Sequence, residues 1–487
     1  MTKDSNSKIA IFGFIWIFLE KSGNQIATFI ITIILARLLE PSIYGTIALI
    51  NVFINFLNTF IDSGMATALV QKKDADELDF STLFCFNFIF GIILYLLMFI
   101  VAPSLASFYN DIQLIKLIRV LSVSLILAGC GNILYSYIYR HFLFKKIFAV
   151  HMVTNIISGT ISIILAYHNW GIWSLIVNIL CYRTLTIIFS FVLIKWFPKI
   201  QFSFTRLKSL FNYGSKLLIS KLLDRGYNEL GSLIIGKFYT KADLALYTKG
   251  RHFPSLIVEN INGSIDGVLF PVMSKEQSSI ETIKSITRRS IMTSTYIIMP
   301  MMVGLAVIAE PLVKLLLTDK WLPCVFYLRI ACYSFMFLPI HTANLNAIKA
   351  IGRSDIFMYL EFVKKIVGLI AICSTIWISV KAFALSAIIT SVIGQVINSY
   401  PNKKLLNYSY IMQLKDILPQ ILISVLMGCV IFPLTLLKFN NIMIITVTVI
   451  IGGLFYITIS YIFKLESFSY LCEKLFNIIK SRKSQNN

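Results

Sequence analysis

Apolar runs of about twenty residues recur from one end of this 487-residue chain to the other. A helix of that length spans the roughly 30 Å hydrocarbon layer of a bilayer. Inside such a layer every backbone polar group must be bonded within the protein, so only helices or closed barrels cross it. Barrel strands alternate in polarity and are about ten residues long. These runs are longer and do not alternate, so the expected fold class is all-α and polytopic. Composition agrees: the chain is 57% hydrophobic and 14% charged, whereas a soluble domain is roughly half apolar and a quarter charged. The length criterion places fourteen spans, at 10–36, 43–69, 82–103, 115–138, 147–166, 170–194, 211–238, 244–270, 287–310, 322–348, 356–378, 380–399, 413–437 and 441–463.

The formal charge of +21 would suit a nucleic-acid binder, but the distribution of the basic residues argues otherwise. Lys72, Lys73, Arg140, Lys145, Lys146, Lys195, Lys199, Arg206, Lys208, Arg288, Arg289, Lys403 and Lys404 fall in alternate loops. The intervening loops are poor in Lys and Arg, and the loop at 167–171 has none. By the positive-inside rule both termini are cytoplasmic, and no nucleic-acid partner is expected. The opening MTKDSNSK leads directly into a full-length span without a small-residue cleavage site, so no removable leader is expected. Eight scattered cysteines form no CxxC and no Cys/His cluster, so neither disulfide framework, metal site nor cofactor is indicated. In the tail at 464–487, Leu465, Phe468, Leu471, Cys472, Leu475, Phe476 and Ile479 share one helical face, with basic residues off it. That pattern suits an amphipathic helix on an anionic leaflet.

One span breaks the apolar pattern. Lys221, Asp224, Arg225, Asn228, Glu229 and Ser232 recur at i, i+3, i+4, i+7, i+8 and i+11, one face of a helix. A charge at the bilayer centre costs about 2.5–3.5 kcal/mol on insertion scales, so such residues face each other or water. Two readings follow: ion pairs that neutralise one another, or the wall of a cavity that handles a charged cargo.

The stripe has a counterpart. Shifting the chain by 200 residues sets Lys21 on Lys221, Asn24 on Asp224, Gln25 on Arg225 and Arg37 on Lys237. A shift of 204 sets Asn51, Asn55, Asn58 and Asp62 on Ser255, Glu259, Asn262 and Asp266. An even number of spans separates the copies, so the repeat is parallel. The organisation expected is two six-helix lobes, 1–194 and 211–400, about a central cleft. A cytoplasmic basic linker at 195–210 joins them, and two further spans (401–463) and the tail (464–487) follow. The candidate cleft cations are Lys21, Lys216, Lys221 and Arg225, which suit phosphate or carboxylate. Asn24, Gln25, Asn51, Asn55, Asn228 and Asn262 suit sugar hydroxyls and amides. Glu20, Asp224, Glu229 and Glu259 are candidate ion-coupling carboxylates, and each serves equally as an ion-pair partner. No catalytic residue is assigned: the five histidines pair with no Ser, Cys or Asp at triad-like spacing, and no loop is large enough for a catalytic domain, so an enzyme is not expected.

The stretch Ile34-Leu-Ala-Arg-Leu-Leu-Glu-Pro-Ser-Ile-Tyr-Gly45, followed by Ile61-Asp-Ser-Gly-Met-Ala-Thr-Ala-Leu-Val-Gln-Lys-Lys73, carries a pattern A-R-x-L-x-P-x-x-Y/F-G, then D-x-G, then A-L-V/I-Q-x-K. With Trp170-Gly-Ile-Trp and Val268-Leu-Phe-Pro271 it resembles the polysaccharide-transporter branch of the multidrug/oligosaccharidyl-lipid/polysaccharide exporter superfamily, the Wzx-type O-antigen and exopolysaccharide flippases. The resemblance implies fourteen spans, a six-plus-six core with two extra helices, and a place in the bacterial inner membrane. It implies a cargo of undecaprenyl-pyrophosphate-linked oligosaccharide, passed to the outer leaflet by alternating access for surface polysaccharide. The implied partners are that substrate, membrane lipids, and the polymerase and chain-length proteins. The alternatives are a lipid II flippase of cell-wall synthesis and a multidrug/cation antiporter. The antiporter fits less well, because a cationic cargo needs an acidic cleft. Within the motif, Pro41 and Gly45 are expected to punctuate the turn between the first two spans.

Overall fold

The computed structural model describes residues 3–485 except 63–64, 67–68, 70–71, 73 and 142. It describes their side chains except those of 3–15, 17, 18, 212–214, 216, 217, 220, 475 and 478–485. Among the described residues there are helices and no strands. In chain order these are α1 (Lys3–Leu38), α2 (Pro41–Ile61), α3 (Glu77–Phe108), α4 (Gln113–Leu121), α5 (Val123–Arg140), α6 (Phe144–Tyr167), α7 (Ile172–Ile194), α8 (Phe204–Phe238) and α9 (Lys241–Lys275). Then follow α10 (Ile280–Val307), α11 (Ala309–Leu317), α12 (Cys324–Phe335), α13 (Leu338–Ala350), α14 (Ser354–Thr375), α15 (Val380–Leu405), α16 (Tyr410–Ile431), α17 (Asn441–Ile462) and α18 (Glu466–Gln485).

Among the described residues, ten stretches are long and apolar enough to cross a membrane. Two of them, 113–140 and 324–350, are each built from two helices, α4 with α5 and α12 with α13. The second break has a local cause: Pro339, in the first turn of α13, has no N–H to continue the helix. α1, α8, α9 and α14 are also long. They hold charged residues, such as Lys221 and Arg225 of the stripe in α8 and Glu361, Lys364 and Lys365 in α14.

The chain forms two compact units, 1–245 and 246–487. In the first, α6 packs on α1 and α7, α5 on α3, and α8 on α2 and α3. Small residues allow the closest approaches. A Cβ at Gly91 would come within 2.9 Å of the Leu125 carbonyl oxygen, and one at Gly129 would overlap the Asn87 carbonyl oxygen. In a bilayer, where lipid tails are as apolar as Leu, such backbone proximity drives helix association. One end of this unit is tied by charge. Asp76 and Asp79 form a capping box that starts α3. The fully buried Asp79 also accepts from Lys72 (2.6 Å) and from Arg206 at the start of α8 (3.3 Å). Asp76 lies below the usual carboxylate range, chiefly because the Asp79 N–H donates to it.

In the second unit α10 packs on α16, α13 and α12, and α15 packs on α12, α13 and α14. Polar glue lies in its core. Asn344 and Gln413 exchange hydrogen bonds (2.8 and 2.9 Å), Asn402 donates to Asn344 (2.6 Å), and all three are at most 1% exposed.

The tail is helical, as its spacing implies, but its first turns are docked into the second unit. Leu465 is buried with Tyr296, Met427 and Tyr456, and Phe468 and Leu471 pack against that cluster. The Ser467 hydroxyl donates to the Met292 carbonyl (3.2 Å). Arg288 holds Glu466 through two bonds of 2.7 Å and Asp416 through bonds of 3.0 and 3.1 Å. A guanidinium can serve both carboxylates because its donors form a planar fork. Glu466 is held below the usual carboxylate range, first by the hydrogen bonds from Arg288. A carboxylate depressed in the folded state stabilises above its unfolded value of about 4.3, and that gain is lost as pH falls below it. Glu466 is more than half exposed, so the gain is within about 1 kcal/mol. We expect Glu466→Gln to lower the thermal midpoint of the detergent-solubilised protein at neutral pH by a few degrees, and to leave it unchanged near pH 3. An equal drop at both pH values would show that the carboxylate charge is not what holds the tail.

Candidate functional site

The polar residues of the first unit gather on α1, α2, α5, α6, α7 and α8. Asp62, at the C-terminal end of α2, accepts a 2.5 Å hydrogen bond from Asn132 on α5. Lys221 and Arg225 of α8 and Arg183 of α7 all lie within electrostatic reach of its carboxylate. Three cations thus surround one acid. Arg183 also donates to the Ser124 carbonyl oxygen (3.4 Å). Arg225 pairs with Glu229 one turn along α8 at 3.3 Å. Lys221, Asp224, Arg225 and Asn228 are exposed, so the stripe is an open face of α8.

Helix α1 supplies a second polar group. Glu20 Oε1 accepts from His151 Nδ1 on α6 at 2.6 Å, and His151 Nε2 lies 2.8 Å from the Tyr135 hydroxyl on α5. Both members of the Glu20–His151 pair are largely buried. Asn155 donates to Asn24 Oδ1 (2.7 Å) and to Thr28 (2.8 Å), and Tyr182 hydrogen-bonds Asn24. A carboxylate, an imidazole and a phenol in one hydrogen-bonded line can hold and pass a proton.

The structure therefore places Lys221, Arg225, Glu229 and Asp224 on α8, and Glu20, Lys21, Asn24 and Gln25 on α1. Asn51 and Asn55 lie on α2, where the Asn55 carbonyl oxygen accepts from Thr59 (3.1 Å). Lys21 is exposed. The side chain of Lys216 lies outside the described residues. Glu259 and Asn262 belong to α9 in the second unit. Arg183, Asn132, Tyr135, His151 and Asn155 were not singled out as site residues from the sequence. His151 and Asn155 do lie on a stripe, with Ser158 and Ser162 at i, i+4, i+7 and i+11 of α6, the spacing of the stripe on α2. For Arg183, Asn132 and Tyr135 the available signal was intramembrane polarity itself.

Paired features recur along the chain, at offsets that grow from 200 to 214 residues. Helix α1 ends at Leu38 and α2 begins at Pro41; α8 ends at Phe238 and α9 begins at Lys241. Asp62 is bonded by Asn132, and Asp266 by Asn346 at 2.7 Å. Asn58 and Asn262 each bury a carboxamide oxygen that has no partner among the described residues. The helix interruption between α4 and α5 has its equivalent between α12 and α13, and Asn132 and Asn346 each lie on the helix that directly follows.

An all-helical membrane protein with charged residues collected inside its spans has the character of a transporter. The chain belongs to the polysaccharide biosynthesis protein family, which it matches over residues 34–326. It is similar to the teichuronic acid biosynthesis protein TuaB of Bacillus subtilis, 24% identical over 396 residues, covering 78% of this chain and 80% of TuaB. It is also similar to the succinoglycan biosynthesis transport protein ExoT of Rhizobium meliloti, 24% identical, covering 66% and 65%. Among solved structures, the lipid II flippase MurJ in an inward closed conformation matches with a TM-score of 0.72 at 17% identity, over 93% of this chain and 98% of that one. An inward-facing multidrug exporter of the MATE family matches with a TM-score of 0.59 at 14% identity, over 79% and 96%. The fold is thus that of the superfamily the motifs resemble. The relatives and the structural neighbours are named for transport and biosynthesis, and none of those cited is named for a catalytic activity.

Proposed function

We propose that this protein moves undecaprenyl-pyrophosphate-linked oligosaccharide across the bacterial inner membrane for surface polysaccharide synthesis. The observation that carries the reading is the group of Arg183, Lys221 and Arg225 about the single carboxylate of Asp62. A pyrophosphate carries more negative charge than one aspartate, so it can take over these cations on arrival. Lys21 and Lys216 add to the same attraction. Asp62, Asp224 and Glu229 compete for the cations when cargo leaves, which keeps binding weak enough for release. Asn24, Gln25, Asn51, Asn55, Asn228 and Asn262 serve the sugar hydroxyls. Glu20, through His151 and Tyr135, is the favoured ion-coupling carboxylate, ahead of Asp224, Glu229 and Glu259. Its carboxylate joins a buried hydrogen-bonded line to an imidazole and a phenol, a path along which a proton can pass.

The matched Asp–Asn bonds and matched turns support the parallel repeat, and with α1, α8, α9 and α14 counted as spans the total is fourteen. The termini are then cytoplasmic, and a polymerase and chain-length proteins are the partners that receive the product. The likeness to a lipid II flippase concerns the fold, whereas the family match and the relatives' names favour surface polysaccharide over cell wall. A clean deletion in a strain without a paralogue should lose surface polysaccharide, accumulate the lipid-linked precursor, and keep growing. Normal surface glycan would overturn the assignment, and arrest of peptidoglycan synthesis would transfer it to lipid II. In the complemented strain, cysteines placed at 167–171 should react with an impermeant reagent from outside and those at 203–205 should not.

A further inference from the structure

The second unit contains a cavity of about 750 Å³ that the transport reading does not use. It runs between α9 and α10, and Tyr470 of α18 is part of its lining. Its volume falls within the roughly 300–1,000 Å³ of ligand sites. One wall is largely apolar, from Ile261, Ile265, Val268 and Leu269 of α9, where Asn260 and Ser264 bond back to the helix carbonyls. The facing wall carries the hydroxyls of Ser290 and Thr293 beside Ile297. Val268 is 65% exposed, so the apolar wall is left uncovered.

The lining around Tyr470 is cationic. Arg289 lines the cavity and stacks on the Tyr470 ring at 4.7 Å, and Lys474 lies 5.7 Å from the same ring. The adjacent Arg288 is fully engaged by Asp416 and Glu466. Arg289 has no hydrogen bond to a carboxylate among the described residues. The nearby Glu466 acts on it only at a distance, and its oxygens already accept from Arg288. The site thus joins two cations beside an aromatic ring to an exposed, largely apolar wall and a row of hydroxyls. That is the complement of an amphiphile with an anionic head. Clustered Lys and Arg at the cytoplasmic ends of spans favour anionic lipid, and the loop before α10 lies on that side in the orientation proposed above.

We propose that this groove holds one anionic phospholipid, its phosphate on Arg289 and Lys474 and an acyl chain along α9. The lipid then bridges α10 to α18, beside the Arg288–Glu466 bond that docks the same helix. The inference depends on the second unit alone and stands whatever the cargo of the first.

Native mass spectrometry of the full-length protein, exchanged from detergent into defined lipid, tests it. Phosphatidylglycerol should be retained about tenfold more than phosphatidylcholine, the ratio that corresponds to about 1.4 kcal/mol. Arg289→Gln with Lys474→Gln should remove that preference while leaving the thermal midpoint within a few degrees. Ser290→Trp, which fills the groove, should lower retention of both lipids. Equal retention of the two lipids by the wild type would overturn the proposal, as would undiminished phosphatidylglycerol in the double variant. Displacement by glycerol phosphate alone would show a free-phosphate site instead of a lipid site. Displacement of phosphatidylglycerol by polyprenyl phosphate at equal concentration would assign the groove to the transported lipid, and would also overturn it.

Discussion

Arg225→Ala is expected to reduce surface polysaccharide to near the level of the deletion strain, with membrane expression unchanged. The guanidinium offers a planar fork to a pyrophosphate, and a hydrogen bond to a charged group is worth about 1.5–3 kcal/mol. Its loss corresponds to roughly a tenfold to hundredfold fall in affinity. Its structural role is small by comparison. The Arg225–Glu229 pair is one helical turn apart and 43% and 21% exposed, a geometry worth about 0.3–0.5 kcal/mol. Folding should therefore survive where transport does not. Arg225→Lys keeps the charge and loses the fork, so an intermediate level is expected. Lys221→Ala combined with Asp224→Ala keeps the net charge of the helix and should fold but not transport. Normal export by that double variant would mean that the stripe only holds helices together.

The second large effect concerns Gly45. It lies in the second turn of α2, and a Cβ added there would overlap the carbonyl oxygen of Lys241, the first residue of α9. Neither partner is the end of a flexible side chain, so relief requires the backbone to move. Gly45→Ala should remove most of the monodisperse protein recovered in detergent. Gly263→Ala and Gly267→Ala are the controls, because nothing lies within 4 Å of a Cβ at either position. There Ala should be neutral or slightly stabilising, since Gly in a helix costs about 1 kcal/mol relative to Ala. Full recovery of folded Gly45→Ala protein would show that the α2–α9 junction is loose.

Gly45 also marks the limit of what the sequence discloses. Its place in a Pro-x-x-x-Gly pattern suggests loop punctuation, and Pro41 does begin α2 with Glu40 as its N-cap. Gly45 itself is helical, and its reason lies 196 residues away, at Lys241. The spans and the stripes were legible because each is a local periodic signal: an apolar run, or polar residues at helical spacing. The alignment of Asp62 with Asp266 was legible for the same reason. Their partners Asn132 and Asn346 were not, because pairing between helices leaves no spacing in the chain. Glu20 stood out as an intramembrane carboxylate, but the His151 and Tyr135 that give it a relay sit on two other helices, and their bonds to it leave no spacing in the chain. The tail shows the same boundary. Its apolar face predicts a helix against something apolar, and only the tertiary bonds of Arg288 and Ser467 identify that surface as the second unit.

The amide cluster of the second unit bears on how the protein is made. Asn344 on α13 is bonded to Asn402 at the end of α15 and to Gln413 on α16. Lipid tails offer a carboxamide no partner. As the ribosome delivers the chain, Asn344 emerges well before Asn402 and Gln413, with its Nδ2 able to donate to the Ile340 carbonyl of its own helix (2.9 Å), and all of α14 is made in between. Its carboxamide oxygen accepts from those two later residues, so shelter by the insertion machinery or by earlier helices favours α13 until α16 arrives. Assembly of this region is a late, collective step, in which helices enter the bilayer as a group held together by their amides.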